Sequence, residues 1–220
     1  MKTLQQIAIE LRQHEESKII DGSKLVCLDL FCGLGGWTNG FLKEGYDVIG
    51  LDITQQCVYK GKFIKVDVLD ICKEINENNK TSFDSYFNLV DVIIASPPCT
   101  EFSRHHMPWL KRTCKNPPSR VLVEASYTIH KYISTLRSKG IPFVLENVIG
   151  AQKYIGKASC HYGPFYLWGD IKVITIPLAY KHKESLQSTD HQLRAKIPTN
   201  LARFVARTLA TRIPKHGGSK

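Results

Sequence analysis

The strongest constraint on this chain is a set of short, nearly continuous apolar runs: LVCLDLF at 25–31, DVIGLDI at 47–53, FIKVDV at 63–68, VDVIIAS at 90–96 and PFVLENV at 142–148. Runs of this length without polar alternation suit strands buried on both faces. Helical stretches fall between them, at Trp37–Glu44 with Gly45 as its stop, at Ile71–Asn76 and across 119–138. Strand and helix alternating in this way imply βαβ units and a mostly parallel, doubly wound α/β sheet. An amphipathic helix is expected over 3–16, with Leu4, Ile7, Ile9 and Leu11 on its apolar side, and a closing helix over 201–213. Residues 151–195 read as irregular and rich in aromatics, Gly and His, with one strand candidate at 171–177, and the tail 214–220 reads as disordered.

At 220 residues with 43% hydrophobic and 23% charged side chains, one core can form and two full domains would be cramped. No apolar run approaches the roughly 20 residues that span a bilayer, and the N-terminus is unlike a signal peptide, so a soluble protein with no membrane partner is expected. The seven cysteines are odd in number and irregular in spacing, with no C-x-x-C, so reduced and mostly buried thiols are expected. His105, His106, Cys114, Cys160 and His161 lack the paired short separations of a zinc site, and no metal is expected.

In an open parallel sheet, ligands bind beyond the carboxyl ends of the strands, where the strand order reverses. The first run is followed by Phe31-Cys32-Gly33-Leu34-Gly35-Gly36, the second ends at Asp52 and the third at Asp67. Glycines there let a ligand approach the backbone, and a carboxylate after the second strand can accept both hydroxyl protons of a ribose. The pattern suggests an adenosine-containing cofactor; a simple packing turn is the alternative. After the fourth run come Ser96-Pro97-Pro98-Cys99-Thr100, where two prolines stiffen the chain and a thiol could project into the cleft as a nucleophile. Glu146 and Asn147 end the fifth run; a partly desolvated carboxyl there could donate a proton to a substrate nitrogen, or it could cap a helix or pair with an Arg.

Taken in order, DLFCGLGGWT (29–38), IGLDI (49–53), VDVLDI (66–71), SPPCTEFS (96–103) and LENVIG (145–150) resemble the cytosine-5 DNA methyltransferases, most closely the compact phage type. The resemblance implies a Rossmann-like, S-adenosylmethionine-dependent catalytic domain formed by 1–152 and 196–213, with 153–195 as a reduced target-recognition region. It also implies a cytoplasmic setting in a bacterial or phage-infected cell. Phe31, Cys32, Gly33, Leu34, Gly35 and Gly36 would line the methionine side of the cofactor. Asp52 would hold the ribose, Ile53 would pack on adenine, Asp67 and Val68 would address the adenine edge, and Pro98 and Asn200 would add further contacts. Cys99 would attack cytosine C6, Glu146 would engage N3 and the exocyclic amine, and Asn147 would hold the Pro-Cys loop. The DNA partner fits the net charge of +10, and Lys111, Arg112, Lys115 and Arg120 could track its backbone or form an ordinary solvated face.

The sequence departs from the family at three points. No clear Gln-x-Arg-x-Arg motif occurs; Gln192-Leu193-Arg194-Ala195-Lys196 is the nearest match and makes Arg194 the candidate for cytosine O2. Thr100 stands where many members have Gln, and residues 197–201 would replace the family's final cofactor block. Region 153–195 is short, and its aromatics Tyr154, Tyr162, Phe165, Tyr166 and Trp168 could either stack on unpaired bases or pack as a small β-layer. Relaxed or very short target specificity is therefore expected. An RNA cytosine-5 methyltransferase and a silent nucleic-acid-binding protein of the same fold are the alternatives. A nicotinamide enzyme would need G-x-G-x-x-G and would leave Pro-Pro-Cys and Glu-Asn-Val unexplained.

Overall fold

The computed structural model describes residues 24–54, 58–100, 102, 118–138, 140–171 and 196–213. The expected helix at 3–16, Arg194, Lys111, Arg112, Lys115, all of the 171–177 strand candidate but Ile171, and the tail lie outside the described residues.

The five apolar runs form β1 (Val26–Leu30), β2 (Asp47–Asp52), β3 (Lys62–Lys65), β4 (Val92–Ala95) and β5 (Phe143–Asn147). Between them lie α1 (Gly36–Lys43), α2 (Val68–Asn78), the single turn α3 (Asp84–Phe87) and α4 (Pro118–Leu136). After β5 come a 3-10 turn, Ile149–Ala151, then α5 (Gln152–Ile155), β6 (Cys160–Tyr162), β7 (Phe165–Gly169) and α6 (Thr199–Ala210). The seven strands form one sheet in the order β3-β2-β1-β4-β5-β7-β6. The four pairings from β3 through β5 are parallel, and the β5–β7 and β6–β7 pairings are antiparallel. This is the mostly parallel α/β sheet expected, and its strand order reverses between β1 and β4.

Both faces are covered, which explains why the central strands lack polar alternation. One face packs Leu28, Leu30, Ile93 and Phe143 against Ile71, Phe87, Ile129 and Ile133. The other packs Cys27, Val48, Ile94 and Val144 against Trp37, Phe41, Leu201 and Val205 of α1 and α6. Helices α1 and α6 lie close enough that a Cβ on Gly40 would come within 2.2 Å of the Ala202 Cβ.

Three local expectations differ from the structure. The third strand ends at Lys65 rather than 68, because Asp67 leaves the sheet to cap α2 with its carboxylate, accepting from the Leu69 N–H at 2.9 Å. That cap starts α2 earlier than Ile71 and lets it run on to Asn78. The region after 151 is not irregular throughout: Cys160–Gly169 is a hairpin that extends the main sheet. Three-residue β6 is too short to show a period, so composition hid it. Tyr162, Phe165 and Trp168 are buried in the packing of this hairpin, while His161 stacks on Tyr166 at the surface with ring centroids 5.0 Å apart.

Candidate active site

The carboxyl ends of β1 and β4 flank the point where strand order reverses, and the candidate residues gather around it. After β1 the backbone turns through positive φ at Phe31 (60°), Gly33 (46°) and Gly35 (70°), so the chain doubles back before α1 begins. Glycine carries this conformation without the Cβ clash that other residues meet. The turn is tied to its neighbours: Cys32 N–H donates to Leu51 O at 3.2 Å, and Gly35 N–H donates to Cys32 O at 2.8 Å. Asp52 at the end of β2 braces it as well, its Oδ2 accepting from Gly33 N–H at 3.0 Å and its Oδ1 from Thr54 N–H at 3.0 Å. Each oxygen thereby uses one of its acceptor positions.

Next to Asp52, the side chain of Ile53 is 60% exposed, an open apolar surface at the sheet edge. Val68 is buried in the core, so what it can offer a ligand is backbone. Cys32 is buried with its thiol over Gly50, and burial pushes that thiol well above its ordinary range. Leu34 is half-buried in the turn, and Gly36 opens α1 with Ile197 directly against it, leaving no room for a Cβ. Asn200, in the first turn of α6, donates from Nδ2 to Tyr162 Oη at 2.9 Å.

Across the reversal, Pro97 is buried, Pro98 is exposed and Cys99 is partly exposed. Asn147 reaches back from β5, its Nδ2 donating to Pro97 O at 3.1 Å, which pins the proline loop to the end of the neighbouring strand. Phe102, fully buried with its ring 5.4 Å from that of Tyr154, anchors the chain just beyond the cysteine. Glu146 is 8% exposed and accepts from Ser96 Oγ at 2.8 Å. Burial pushes its carboxyl up to about 7, with the Ser96 hydrogen bond pulling weakly the other way. A carboxyl of this kind carries a proton for much of the time near neutral pH, as a general acid requires. Arg120 lies on α4 and pairs with Glu124 at 2.7 Å, on the solvated side of that helix.

A profile of the C-5 cytosine-specific DNA methylases matches residues 25–154, well over half of the chain, and takes in the glycine turn, the Pro-Pro-Cys loop and Glu146-Asn147. The chain belongs to this cytosine-5 methylase family. Curated members similar to it include a Methanocaldococcus jannaschii protein named as a type II methyltransferase, 30% identical over 129 residues, covering 55% of this chain and 40% of that protein. Another is a type II methylase of Herpetosiphon aurantiacus, 30% identical over 87 residues, covering 36% of this chain and 23% of that one. The present methylase-family chain thus spans less than half the length of either relative. Among solved structures, a protein encoded in an Escherichia coli prophage and named as a DNA modification methyltransferase matches at 24% identity and a TM-score of 0.37, covering 60% of this chain and 35% of that one. An Entamoeba histolytica methyltransferase matches at 19% identity and a TM-score of 0.36, covering 59% and 40%.

Three residues of this cytosine-5 methylase site have no role in the sequence reading. Ser96 stands in the motif, but its hydroxyl proves to be the hydrogen-bond partner of Glu146. Trp37 donates from Nε1 to Ser96 Oγ at 2.8 Å, joining the first turn of α1 to the β4 loop. Asp29 is buried within β1, accepts from Thr38 Oγ1 at 2.7 Å and is pushed by burial up to about 7. An acid in the middle of an apolar run, nine residues before a threonine, was the visible signal for the last of these.

Proposed function

We propose that this chain transfers a methyl group from S-adenosylmethionine to C5 of cytosine in DNA, through a covalent bond between Cys99 and C6. The observation that carries the reading is the joint placement of Cys99 and Glu146. A partly exposed thiol on a pinned loop and a buried carboxyl that burial holds ready to take a proton end adjacent parallel strands, with Asn147 hydrogen-bonded to the loop between them.

Cytosine C5 is a weak nucleophile and needs activation. Cys99 gives up its thiol proton to solvent and the Sγ thiolate bonds to C6 while Glu146 gives its proton to N3, so the ring becomes an enamine with electron density at C5. S-adenosylmethionine, when bound along residues 31–36 and Asp52, would supply to C5 a methyl carried on a sulfonium sulfur, with the neutral thioether as leaving group. A base then removes the C5 proton, the C6–Sγ bond breaks, and N3 returns its proton to Glu146. Thiol and acid both need the base outside the stack, so a duplex substrate must be flipped.

The residues present suit the cofactor. Asp52 keeps acceptor capacity on both oxygens for ribose hydroxyls, Ile53 offers apolar surface for a flat base, and the turn from Phe31 to Gly36 brings bare backbone to the edge of the cleft. Asp67 Oδ1 caps α2, which leaves Oδ2 and the Val68 backbone for the adenine edge. Pro98 and Asn200 stand exposed at the same edge. Region 153–195 with Arg194 is proposed to handle the target base and a short or relaxed recognition sequence; its hairpin, 160–169, is part of the catalytic sheet.

The test is covalent trapping on DNA containing 5-fluorocytosine, where fluorine blocks the final elimination. A denaturing gel should reveal an adduct that requires both S-adenosylmethionine and Cys99, with Cys99→Ala as the control. No adduct on single- or double-stranded DNA would overturn the DNA reading, and an adduct on structured RNA alone would replace it with RNA methylation.

A further inference from the structure

Trp37, Ser96 and Glu146 form a hydrogen-bonded chain across the point where the sheet reverses. Trp37 Nε1 to Ser96 Oγ is 2.8 Å, and Ser96 Oγ to Glu146 Oε2 is 2.8 Å. The proton count along this chain is fixed by chemistry. An indole N–H can donate and never accept, and a serine hydroxyl has one proton to give. With the indole donating into Ser96 Oγ, the hydroxyl proton points at Glu146 Oε2, and Oε2 is held as an acceptor. As long as the hydroxyl proton is given to Oε2, a protonated Glu146 carries its own proton on Oε1. Ser96 is the partner of Oε2, and Oε1 is absent from the fully sealed oxygens lacking a partner among the described residues, so the 8% exposure of the residue reaches it.

We infer that Trp37 and Ser96 are positioning residues that hold the acid proton of Glu146 on Oε1, the oxygen that Ser96 leaves unbonded. This rests on the methyl-transfer reading, in which that proton goes to cytosine N3. The lock is seated firmly. Trp37 is almost wholly buried and its ring meets Phe41 edge-on at 6.4 Å. The Ser96 backbone N–H is itself fixed to Leu30 O at 3.2 Å. Trp37 also follows Gly36 directly, so the same turn expected to hold the cofactor sets the position of the indole. Without the indole, Ser96 could rotate and accept a proton from Oε2 instead. The neutral acid would then keep its proton on the oxygen facing away from the base.

Few other groups can confuse the readout. Glu146 pairs with Leu167 on the β7 side, and burial and Ser96 are the causes that set its acidity among the described residues; the titratable groups around the site include Cys99, Asp52 and the buried Asp29, whose carboxyl is also pushed up to about 7 and whose own band is identified by its loss in Asp29→Asn. The first experiment uses the protein without cofactor or DNA. Infrared difference spectra across pH should show a buried carboxylic C=O band lost near pH 7, assigned by its disappearance in Glu146→Gln. Ser96→Ala removes a donor to the carboxylate and should move that midpoint upward; Ser96→Thr should restore it. Trp37→Phe should also move it upward, because a released hydroxyl favours the neutral acid, and should have no further effect in a Ser96→Ala background.

In turnover, Trp37→Phe and Ser96→Ala should each lower kcat about 3- to 10-fold, the scale of one hydrogen bond, with KM for DNA and cofactor unchanged. A Trp37→Phe midpoint that stays at the wild-type value, or shifts equally in both backgrounds, would reduce the indole to packing and overturn the inference. Trapping of wild type on 5-fluorocytosine DNA separates the two levels. If wild type forms no adduct, the methyl-transfer reading fails; if it does and the midpoints fail to move, the positioning role fails alone.

Discussion

Asp29 and Glu146 invite direct comparison. Each is the last residue but one of its strand, and burial pushes each carboxyl up to about 7. They share a face of the sheet, since Asp29 is level with Ile94 and Ile94 with Val144, and Glu146 lies two residues beyond Val144. Those two residues raise Glu146 about 7 Å closer to the carboxyl edge. Asp29 sits below the glycine turn, enclosed by Thr38, which exchanges a further hydrogen bond with Tyr59 Oη at 2.8 Å, and its Oδ1 is sealed with no hydrogen-bond partner among the described residues. Glu146 meets the loop that carries Cys99. A raised carboxyl pKa therefore marks burial, and the opening beside it marks the site.

The sharpest break of this comparison is in turnover. Glu146→Gln should lower kcat at least a hundredfold, the usual scale of lost acid catalysis, whereas the isosteric Asp29→Asn should stay within a few-fold of wild type. Methyl incorporation at saturating substrate measures both. Comparable losses in the two variants would mean that Asp29 takes part in the chemistry and that the comparison is wrong.

In stability the two should converge. A carboxyl with a raised folded-state pKa binds its proton more tightly in the native protein, so its contribution is present in full below about 4 and is lost as pH rises through about 7. Urea midpoints should accordingly fall between pH 5 and pH 8. Asp29→Asn should flatten that fall by on the order of 3 kcal/mol, and Glu146→Gln should act in the same direction. A midpoint that rises over this range in wild type would remove the buried-acid account of both residues.

The sheet and the outline of the site were legible because they rest on local rules. LVCLDLF needs burial on both faces, and Gly33, Gly35, Pro97 and Cys99 sit where such strands must end. Asp67 was misread as strand because its value as a cap depends on where the chain turns, and the β6–β7 hairpin was legible only as one of two readings, a small β-layer, because its partner, β5, lies outside any local window. The chain from Trp37 through Ser96 to Glu146 spans 109 residues of sequence and exists once β4 and β5 are neighbours. Tertiary hydrogen bonds of this sort leave no spacing pattern to read.

A third test concerns what holds the indole in place. Gly40 lies on α1 one turn beyond Trp37, and a Cβ there would come within 2.2 Å of the Ala202 Cβ and 2.8 Å of Arg203 N. Backbone and a core methyl cannot step aside cheaply, so Gly40→Ala should cost about 1–3 kcal/mol through overpacking. Because α1 must shift to relieve the clash, the same variant should also disturb the Glu146 carboxyl band, which Asp29→Asn should leave in place. A destabilised Gly40→Ala protein with an unaltered band would mean that the chain from Trp37 tolerates movement of its helix.

The smallest effect belongs to a third carboxyl, which has the opposite sign. Glu44, just past α1, accepts from Arg203 Nε at 2.5 Å and Arg207 Nε at 2.6 Å on α6, and these hydrogen bonds, Arg207 first, hold its pKa below the ordinary glutamate range. Its contribution is present above the unfolded-state pKa and is lost as pH falls through the lower folded-state value. The two arginines are substantially exposed, so solvent and salt screen the pairing and the gain is slight. Glu44→Gln should thus lower Tm by a small amount at pH 7, by less in high salt, and by nothing once pH is low enough to protonate Glu44 in wild type. Glu44, Asp29 and Glu146 then report three environments by slope alone: a paired carboxylate loses stability toward acid, and the two buried acids lose it toward base. If Glu44→Gln instead flattened the fall between pH 5 and pH 8, the assignment of that fall to Asp29 and Glu146 would have to be abandoned.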